Sequence, residues 1–515
     1  HPDADRPPWY PAAAPAAADG RDLAIAIAIA TTLGPEAMTG PTSFLLTGAV
    51  VLPCEGDRAW LDPGAVLVLD GVIAAVGTPE EVSHHPAAGG VVRPEAVGTA
   101  VDATATSGVP VIDRTGHVII PGLHNCHLHS GLLRGTAESL ALWEWLENHV
   151  DPAHRALTPE IAEAASWMAY TEGLLGGTTS VLDMWRHMEG AARAADTLGI
   201  RATLAPYTAD RYPWFETLET NRRLLDTHRV AAGGRVRTWV GLEHLFYCSP
   251  DMFRAAAALA AEYDTGLHTH SSETTWEVEE CVRLHGGRPI EVFAERGILD
   301  GPAVVAHGVW LDDTEIQVCV DTGTAVTHCP CSNMKLASGP ARIGHYRQAG
   351  MTVALGTDGE KENNNLDMLE EMKFASLLQK VSDLDPTVGD PWDILDMATL
   401  SGAKALGLDD VTGSIAEGKA ADLVAVDLRS LHFVPVLGGD DFNVPAHLVF
   451  TASARDVADV WVEGRHLVTG GEVLTVDVAT VAAEAQAAAE ELFERRRRLP
   501  PTTSVATDFG KEPAL

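Results

Sequence analysis

The chain has 515 residues, 46% hydrophobic and 21% charged, ordinary for a globular protein but too long for one ordinary compact core. Its 72 acidic and 36 basic residues give a formal net charge of -36. Such a surface repels phosphate backbones and anionic lipid, which argues against nucleic acid and membrane surfaces as partners.

Seven cysteines, an odd count in so long a chain, make no disulfide framework. Cys329 and Cys331 stand as C-P-C, one residue short of a C-x-x-C zinc or redox spacing, and all seven are read as reduced thiols. No uninterrupted apolar run reaches the roughly 18 residues of a membrane helix. The short run 23–30 follows acidic residues and no basic cluster, unlike a signal peptide. A cytoplasmic protein is the resulting expectation.

Residues 1–42, rich in Ala and Pro, read as a flexible arm. From Ser43 short β-like runs follow, at 44–52, 65–76 and 109–120, with a Gly-, Ala- and Pro-bearing surface loop at 78–108. Beyond Pro121 strands and helices alternate. Eight short apolar or β-branched runs stand at 117–123, 178–183, 200–204, 238–243, 266–270, 303–307, 324–328 and 352–358. Helix-like stretches such as 159–175 and 251–262 lie between them. Eight β–α units over this length predict an α/β fold, a (β/α)8 TIM barrel spanning 121–410. A doubly wound sheet is the alternative, but no G-x-G-x-x-G follows the first strand. The later runs 422–426 and 457–462 are too few to bury a core alone. They are expected to join the early strands in a small β-sandwich domain made of 43–120 and 411–475. Residues 476–515 read as a C-terminal helix and tail, with Arg495–Arg498 as a solvated helix end.

Polar residues fall where such a barrel would hold chemistry. His127 and His129, in N-C-H-L-H, follow the first barrel strand, and residues two apart in extended chain point to one side. His270 ends the fifth run, His307 the sixth and Asp358 the eighth. Strand C-termini surround a barrel's mouth, so these residues converge there. Each has a plainer reading: His268 could replace His270 as a ligand, and Asp358 in G-T-D-G could be a turn former. Together they form a borderline-hard donor set suited to Zn²⁺, and also to Fe²⁺ or Mn²⁺.

The ordered motifs P-G-L-H-N-C-H-L-H (121–129), L-L-R-G (132–135), E-W-L-E (144–147), H-T-H-S-S-E-T (268–274), A-H-G-V-W-L (306–311), S-N-M-K-L-A-S-G (332–339) and L-G-T-D-G (355–359) carry a resemblance. So do N-N-N-L-D-M (363–368), E-E-M-K (370–373) and G-K-A-A-D-L (418–423). The chain resembles the amidohydrolase superfamily from about residue 44 to 470, in the branch of S-adenosylhomocysteine and methylthioadenosine deaminases and triazine hydrolases. The resemblance implies one divalent metal per active site, zinc ahead of iron or manganese, held by His127, His129, His270 and Asp358. It implies that Glu273 transfers protons, that His307 orients water or substrate and that Trp145 lines a heterocycle pocket. The expected reaction is hydrolytic deamination of an amino-substituted heterocycle, adenosine-like first. Guanine, pterin or triazine substrates, dechlorination included, are the alternatives. A non-catalytic scaffold of this fold should lack a ligand or the proton-transfer glutamate, and this chain keeps them all. By family analogy it could assemble as a homo-oligomer.

The departures from the family cluster where substrate is chosen. Glu243, in G-L-E-H-L-F-Y-C-S, stands where the branch has a substrate-facing histidine, with His244 one place later. His154, in D-P-A-H-R, stands where the branch has a glutamate that reaches the ribose hydroxyls. The two could be a compensated swap across one pocket. G-E-K-E (359–362) adds charge beside Asp358.

Overall fold

The computed structural model describes residues 41–88, 108–136, 138–140 and 142–499. The flexible arm expected over 1–42 lies, except for its last two residues, outside the described residues, as do residues 89–107 of the expected loop and the tail beyond 499.

The early and late segments build one nine-stranded mixed sheet. Its N-terminal strands are β1 (Phe44–Val51), β2 (Leu61–Leu69), β3 (Val72–Gly77), β4 (Val111–Asp113) and β5 (His117–Pro121). The expected run 65–76 is a hairpin of β2 and β3, turned at Asp70 and Gly71 with φ of 49° and 83°. Two consecutive positive φ values are what a two-residue hairpin turn with the sheet's own twist requires, and Asp-Gly supplies them. The loop expected at 78–108 opens instead with a helix, Pro79–His84. Thr78 caps it by accepting from Glu81 N while the Glu81 carboxylate accepts from Thr78 N at 2.8 Å, a capping box already present in T-P-E-E.

Ten strands follow in the central segment: β6 (Leu123–Leu128), β7 (Thr178–Trp185), β8 (Arg201–Pro206), β9 (Val230–Ala231), β10 (Val236–Thr238), β11 (Val240–Gly241), β12 (Leu267–Ser271), β13 (Ala303–His307), β14 (Ala325–His328) and β15 (Val353–Leu355). They form two five-stranded sheets, ordered β6-β7-β8-β10-β9 and β11-β12-β13-β14-β15, parallel except where β9 meets β10. The first barrel strand expected at 117–123 is thereby corrected. Residues 117–121 pair with the mixed sheet as β5, and the first strand of the central sheets starts at Leu123, so His127 lies inside it. A run buried on both faces carries no periodicity to say which sheet it joins. The fourth run, 238–243, is broken into β10 and β11 at Trp239, whose N–H turns to Leu204 O at 2.9 Å.

Two close approaches join the five-stranded sheets. At one seam a Cβ on Gly241 would stand 2.1 Å from Pro206 O. At the other a Cβ on Gly356 would stand 2.8 Å from His127 N, and Asp358 N donates to His127 O at 3.0 Å. Only glycine permits backbone contact this close.

The chain returns to the mixed sheet through β16 (Leu423–Asp427), β17 (Val457–Val462), β18 (Arg465–Thr469) and β19 (Glu472–Val473). As expected, β16 lies antiparallel beside β5, Leu423 opposite Pro121 and Asp427 opposite His117. Phe44, Val66, Ile119, Leu423 and Trp461 form its core. Arg201 of β8 grips Asp422 through Nε at 2.6 Å, both side chains buried, and ties the mixed sheet to the central segment. The C-terminal helix Val478–Arg498 packs against the helix Pro159–Leu175. Its basic end is not merely solvated: Arg495 and Arg496 donate to Ala156 O and Asn148 O, each at 2.8 Å. No described helix is long and apolar enough to cross a membrane. The seven cysteines are free thiols.

Candidate functional site

The site is built on strand C-termini. His127, His129, His270, Glu273, His307 and Asp358 come from the ends of β6, β12, β13 and β15 and are all buried. Ser272, His307 and Asp358 have φ of 53°, 69° and 58°, a left-handed conformation that disfavours side-chain-bearing residues. Strain of this kind costs on the order of 1–3 kcal/mol per residue and gathers where side chains must leave a strand toward a ligand.

Hydrogen bonds assign the histidine tautomers. His268 Nδ1 donates to Val304 O at 2.8 Å, so its Nε2 accepts, and His127 Nδ1 donates to it at 2.8 Å. His127 Nε2 is therefore a lone pair, buried and without a hydrogen-bond partner among the described residues. His129 Nδ1 donates to Met184 O at 2.7 Å and His270 Nδ1 to Glu243 O. Their Nε2 lone pairs then face each other at 3.1 Å. Asp358 Oδ1 lies 3.4 Å from both His127 Nε2 and His129 Nε2. Ser332 Oγ and Gly359 N donate to this carboxylate at 2.7 and 2.9 Å. Burial holds His129, His268 and His270 well below the usual histidine range, as neutral imidazoles. Neutral lone pairs and a carboxylate converging in a buried space repel one another unless a cation lies between them, and three nitrogens with one oxygen suit a borderline-hard divalent ion. Two groups could hold one: His127, His129 and His270, and His127, His307 and Asp358. The structure thus places His268 behind His127 as its hydrogen-bond acceptor.

On the other side of Asp358, His307 Nδ1 donates to Asn333 Oδ1 at 3.1 Å. Its Nε2 faces Glu273 Oε2 at 3.8 Å and Asp358 Oδ2 at 3.9 Å. Ser338 Oγ donates to Glu273 Oε1 at 2.8 Å, and burial raises the Glu273 carboxyl above the usual carboxylate range. Its backbone is held as firmly: Glu277 accepts from Ser272 N and Glu273 N, each at 2.7 Å. Burial opposes charge on both Glu277 and His244, yet their approach at 3.4 Å outweighs it, lowering the carboxyl and pushing the imidazole up to about 9.

A cavity opens above these groups, walled by Leu142, Trp145, Leu146, Tyr207, Glu243 and Glu362. Trp145 and Glu243 therefore face the space named from the sequence, whereas His154 does not line it. His154 lies behind Tyr207, with its ring edge-on at 5.5 Å between centroids and Arg186 Nη2 3.4 Å from its Nδ1. Tyr207 separates the two, and its hydroxyl donates to Glu243 Oε1 at 3.1 Å. Burial pushes Glu243 up to about 8 against the opposing His244 charge. Sequence reasoning assigned no role to Tyr207, Glu277, Asn333, Ser332, Ser338 or Glu362. The last four lie in or beside the quoted motifs, a usable signal, while Tyr207 carries none.

Residues 118–467 match the amidohydrolase family. A 5'-deoxyadenosine deaminase of Methanothermobacter thermautotrophicus is 39% identical over 455 residues, 87% of this chain and 99% of that one. A 5-methylthioadenosine/S-adenosylhomocysteine deaminase of Desulforudis audaxviator is 38% identical over 407 residues, 77% of this chain and 94% of that one. Among solved structures, an adenosine deaminase from Xanthomonas campestris with bound zinc superposes with a TM-score of 0.79 at 30% identity, covering 89% of this chain and 99% of that one. The chain therefore belongs to the amidohydrolase family.

Proposed function

We propose that this amidohydrolase is a metal-dependent deaminase of adenosine-like nucleosides, releasing ammonia from the amine-bearing ring carbon. The observation that carries the reading is the convergence of three imidazole lone pairs and the Asp358 carboxylate beside Glu273 and His307 in one cavity. Relatives named for 5'-deoxyadenosine, methylthioadenosine and S-adenosylhomocysteine support the substrate class.

His127, His129, His270 and Asp358 would hold one divalent ion, zinc first, with iron or manganese as alternatives. Such an ion supplies Lewis acidity that makes water nucleophilic near neutral pH. Asp358 accepts the proton of the attacking water. Glu273, kept by burial in reach of its protonated form, donates to the ring nitrogen beside the attacked carbon and neutralises the tetrahedral adduct. His307, its Nδ1 tied to Asn333, presents Nε2 between Glu273 and Asp358 and orients water or substrate. A second proton transfer lets ammonia leave and a ring carbonyl remain. Trp145 and Glu243 form the wall for the heterocycle, and His154 acts on it through Tyr207.

The same reading extends to architecture. The two five-stranded sheets, in contact at both seams, are the halves of a (β/α)8 barrel over 121–410. The nine-stranded sheet folds over its core as a β-sandwich made of 43–120 and 411–475, with 476–515 as a helical appendage. A cytoplasmic homo-oligomer is the proposed setting.

The test is ammonia release from adenosine, 5'-deoxyadenosine, 5'-methylthioadenosine, guanine, pterins and aminotriazines, with His270→Ala as control. Release from nucleosides that the control abolishes supports the reading. Release from guanine, pterins or triazines alone would replace it.

A further inference from the structure

The charged turn that follows Asp358 is left without a task by the deamination chemistry. Glu360, Lys361 and Glu362 stand consecutively on the single-turn helix Glu360–Asn363, and all three are buried. Glu360 Oε1 accepts from Leu133 N at 2.5 Å and fastens the segment 131–133 to the turn. Lys361 O accepts from Lys335 Nζ at 2.8 Å. The Lys361 ammonium lies 2.8 Å from Glu362 Oε1 and 3.1 Å from Oε2, and Glu362, not Lys361, lines the cavity beside the histidine cluster. Glycine at 359 permits this arrangement, because a Cβ there would collide with Glu362 Oε2 and stand 2.9 Å from Lys361 Nζ. A buried ion pair adds little net stability, so packing does not account for one in a cavity wall. The other carboxyls of that wall, Glu243, Glu273 and Asp358, are engaged by Tyr207, by Ser338 and by Ser332 with Gly359. Glu362 is met instead by a cation that stays outside the cavity.

We propose that Glu362 is a specificity-determining residue that accepts hydrogen bonds from the neighbouring 2' and 3' hydroxyls of a ribonucleoside. The inference rests on the nucleoside reading of the site. A carboxylate has about four lone-pair positions, and Lys361 takes two of them, which leaves one on each oxygen for a pair of donors. Lys361 also supplies the counter-charge, so the site calls for neutral donors rather than for a cation. An adenine linked through N9 carries no N–H except those of the amine expelled at the floor. The donors left to such a substrate are its sugar hydroxyls, and two adjacent ones match the two oxygens of one carboxylate. His154 is kept out of this space by Tyr207, so the hydroxyls meet the turn after β15 and not the segment of His154.

The experiment measures kcat/KM for adenosine and its 2'-deoxy, 3'-deoxy and 2',3'-dideoxy analogues, with guanine and an aminotriazine alongside. The enzymes are the wild type, Glu362→Gln, and Glu362→Gln combined with Lys361→Met, which leaves no unpaired buried ammonium. A hydrogen bond to a charged acceptor is worth roughly tenfold or more, so the wild type should lose about tenfold with either hydroxyl and about a hundredfold with both. In the two variants the penalty for removing both hydroxyls should shrink to about tenfold or less, through a higher KM for adenosine. A wild type indifferent to the hydroxyls, or variants that keep its full preference, overturns the role of Glu362 alone. So does an equal fall of kcat on all four nucleosides, which would assign the carboxylate to the departing amine. Ammonia from guanine or the triazine but from no nucleoside overturns the nucleoside reading and the sugar contact with it.

Discussion

His268→Leu tests how the proposed metal-binding nitrogen of His127 is set. In the structure Val304 O accepts from His268 Nδ1, and His268 Nε2 accepts from His127 Nδ1, both at 2.8 Å, leaving His127 Nε2 bare. Leucine fills a similar space but accepts nothing. His127 then has two courses: it keeps a buried N–H unpaired, which costs roughly 1–3 kcal/mol, or it moves the proton to Nε2 and ceases to be a donor to a metal. The first course weakens the ligating tautomer by about fivefold to 150-fold, in line with the roughly 10–100-fold cost of losing a partner behind a ligand. Zinc affinity is read by competition with a chromogenic chelator, and near-ultraviolet circular dichroism checks that the fold survives. His268→Gln, whose amide oxygen can accept, should recover part of the loss. A folded His268→Leu protein that binds zinc within twofold of wild type would refute the tautomer relay.

Glu273→Gln removes the proposed proton donor and acceptor but not the fold of its turn, because Glu277 holds the backbone. It should lower kcat by about 10²–10⁴ with zinc content unchanged, measured by ammonia release and metal analysis. Arg201→Met leaves Asp422 buried without its partner and should cost about 3–5 kcal/mol in urea unfolding, whereas Arg201→Met with Asp422→Leu should recover much of it. Asp459 is buried, but bonds from His466, Arg114 and Thr469 overcome that burial and hold it at about 2. A lowered folded-state pKa stabilises above the unfolded value and the benefit fades as pH falls. The stability gap between wild type and Asp459→Asn, on the order of 2 kcal/mol at neutral pH, should therefore shrink between pH 4 and pH 2. An unchanged gap across that window in urea titrations would remove Asp459 as its source.

The sequence made the convergence legible because β-strands present residues in fixed alternation and parallel strands end on one face. His127 and His129, His270, His307 and Asp358 could be brought to one mouth from their positions alone, and the structure sets them in one buried cluster, all but His127 lining the cavity. What stayed hidden depended on contacts between distant segments. Whether residues 117–121 joined the central parallel strands or the mixed sheet was decided by pairing with β1 and β16, which a doubly buried run does not announce. His268 and His270 both lie in β12 and both donate through Nδ1 to a backbone carbonyl; only what faces Nε2, His127 Nδ1 for His268 and His129 Nε2 for His270, sets them apart. Tyr207, which parts Glu243 from His154, comes just after a strand with no motif around it. Two local signals were present yet unread: the capping box at Thr78–Glu81 and the Asp70-Gly71 turn. The proposed trade between Glu243 and His154 would run through Tyr207, whose hydroxyl donates to Glu243 and whose ring meets that of His154 edge-on.

The central claim is that a single metal held by His127, His129, His270 and Asp358 drives deamination. The most direct measurement strips the protein of metal, restores zinc in steps and follows ammonia release from 5'-methylthioadenosine alongside bound zinc. The account predicts activity rising linearly to one zinc per chain and then levelling, with His270→Ala neither retaining the ion nor releasing ammonia. Full activity in the metal-stripped protein, or zinc bound at one per chain by a His270→Ala protein that still deaminates, would contradict it.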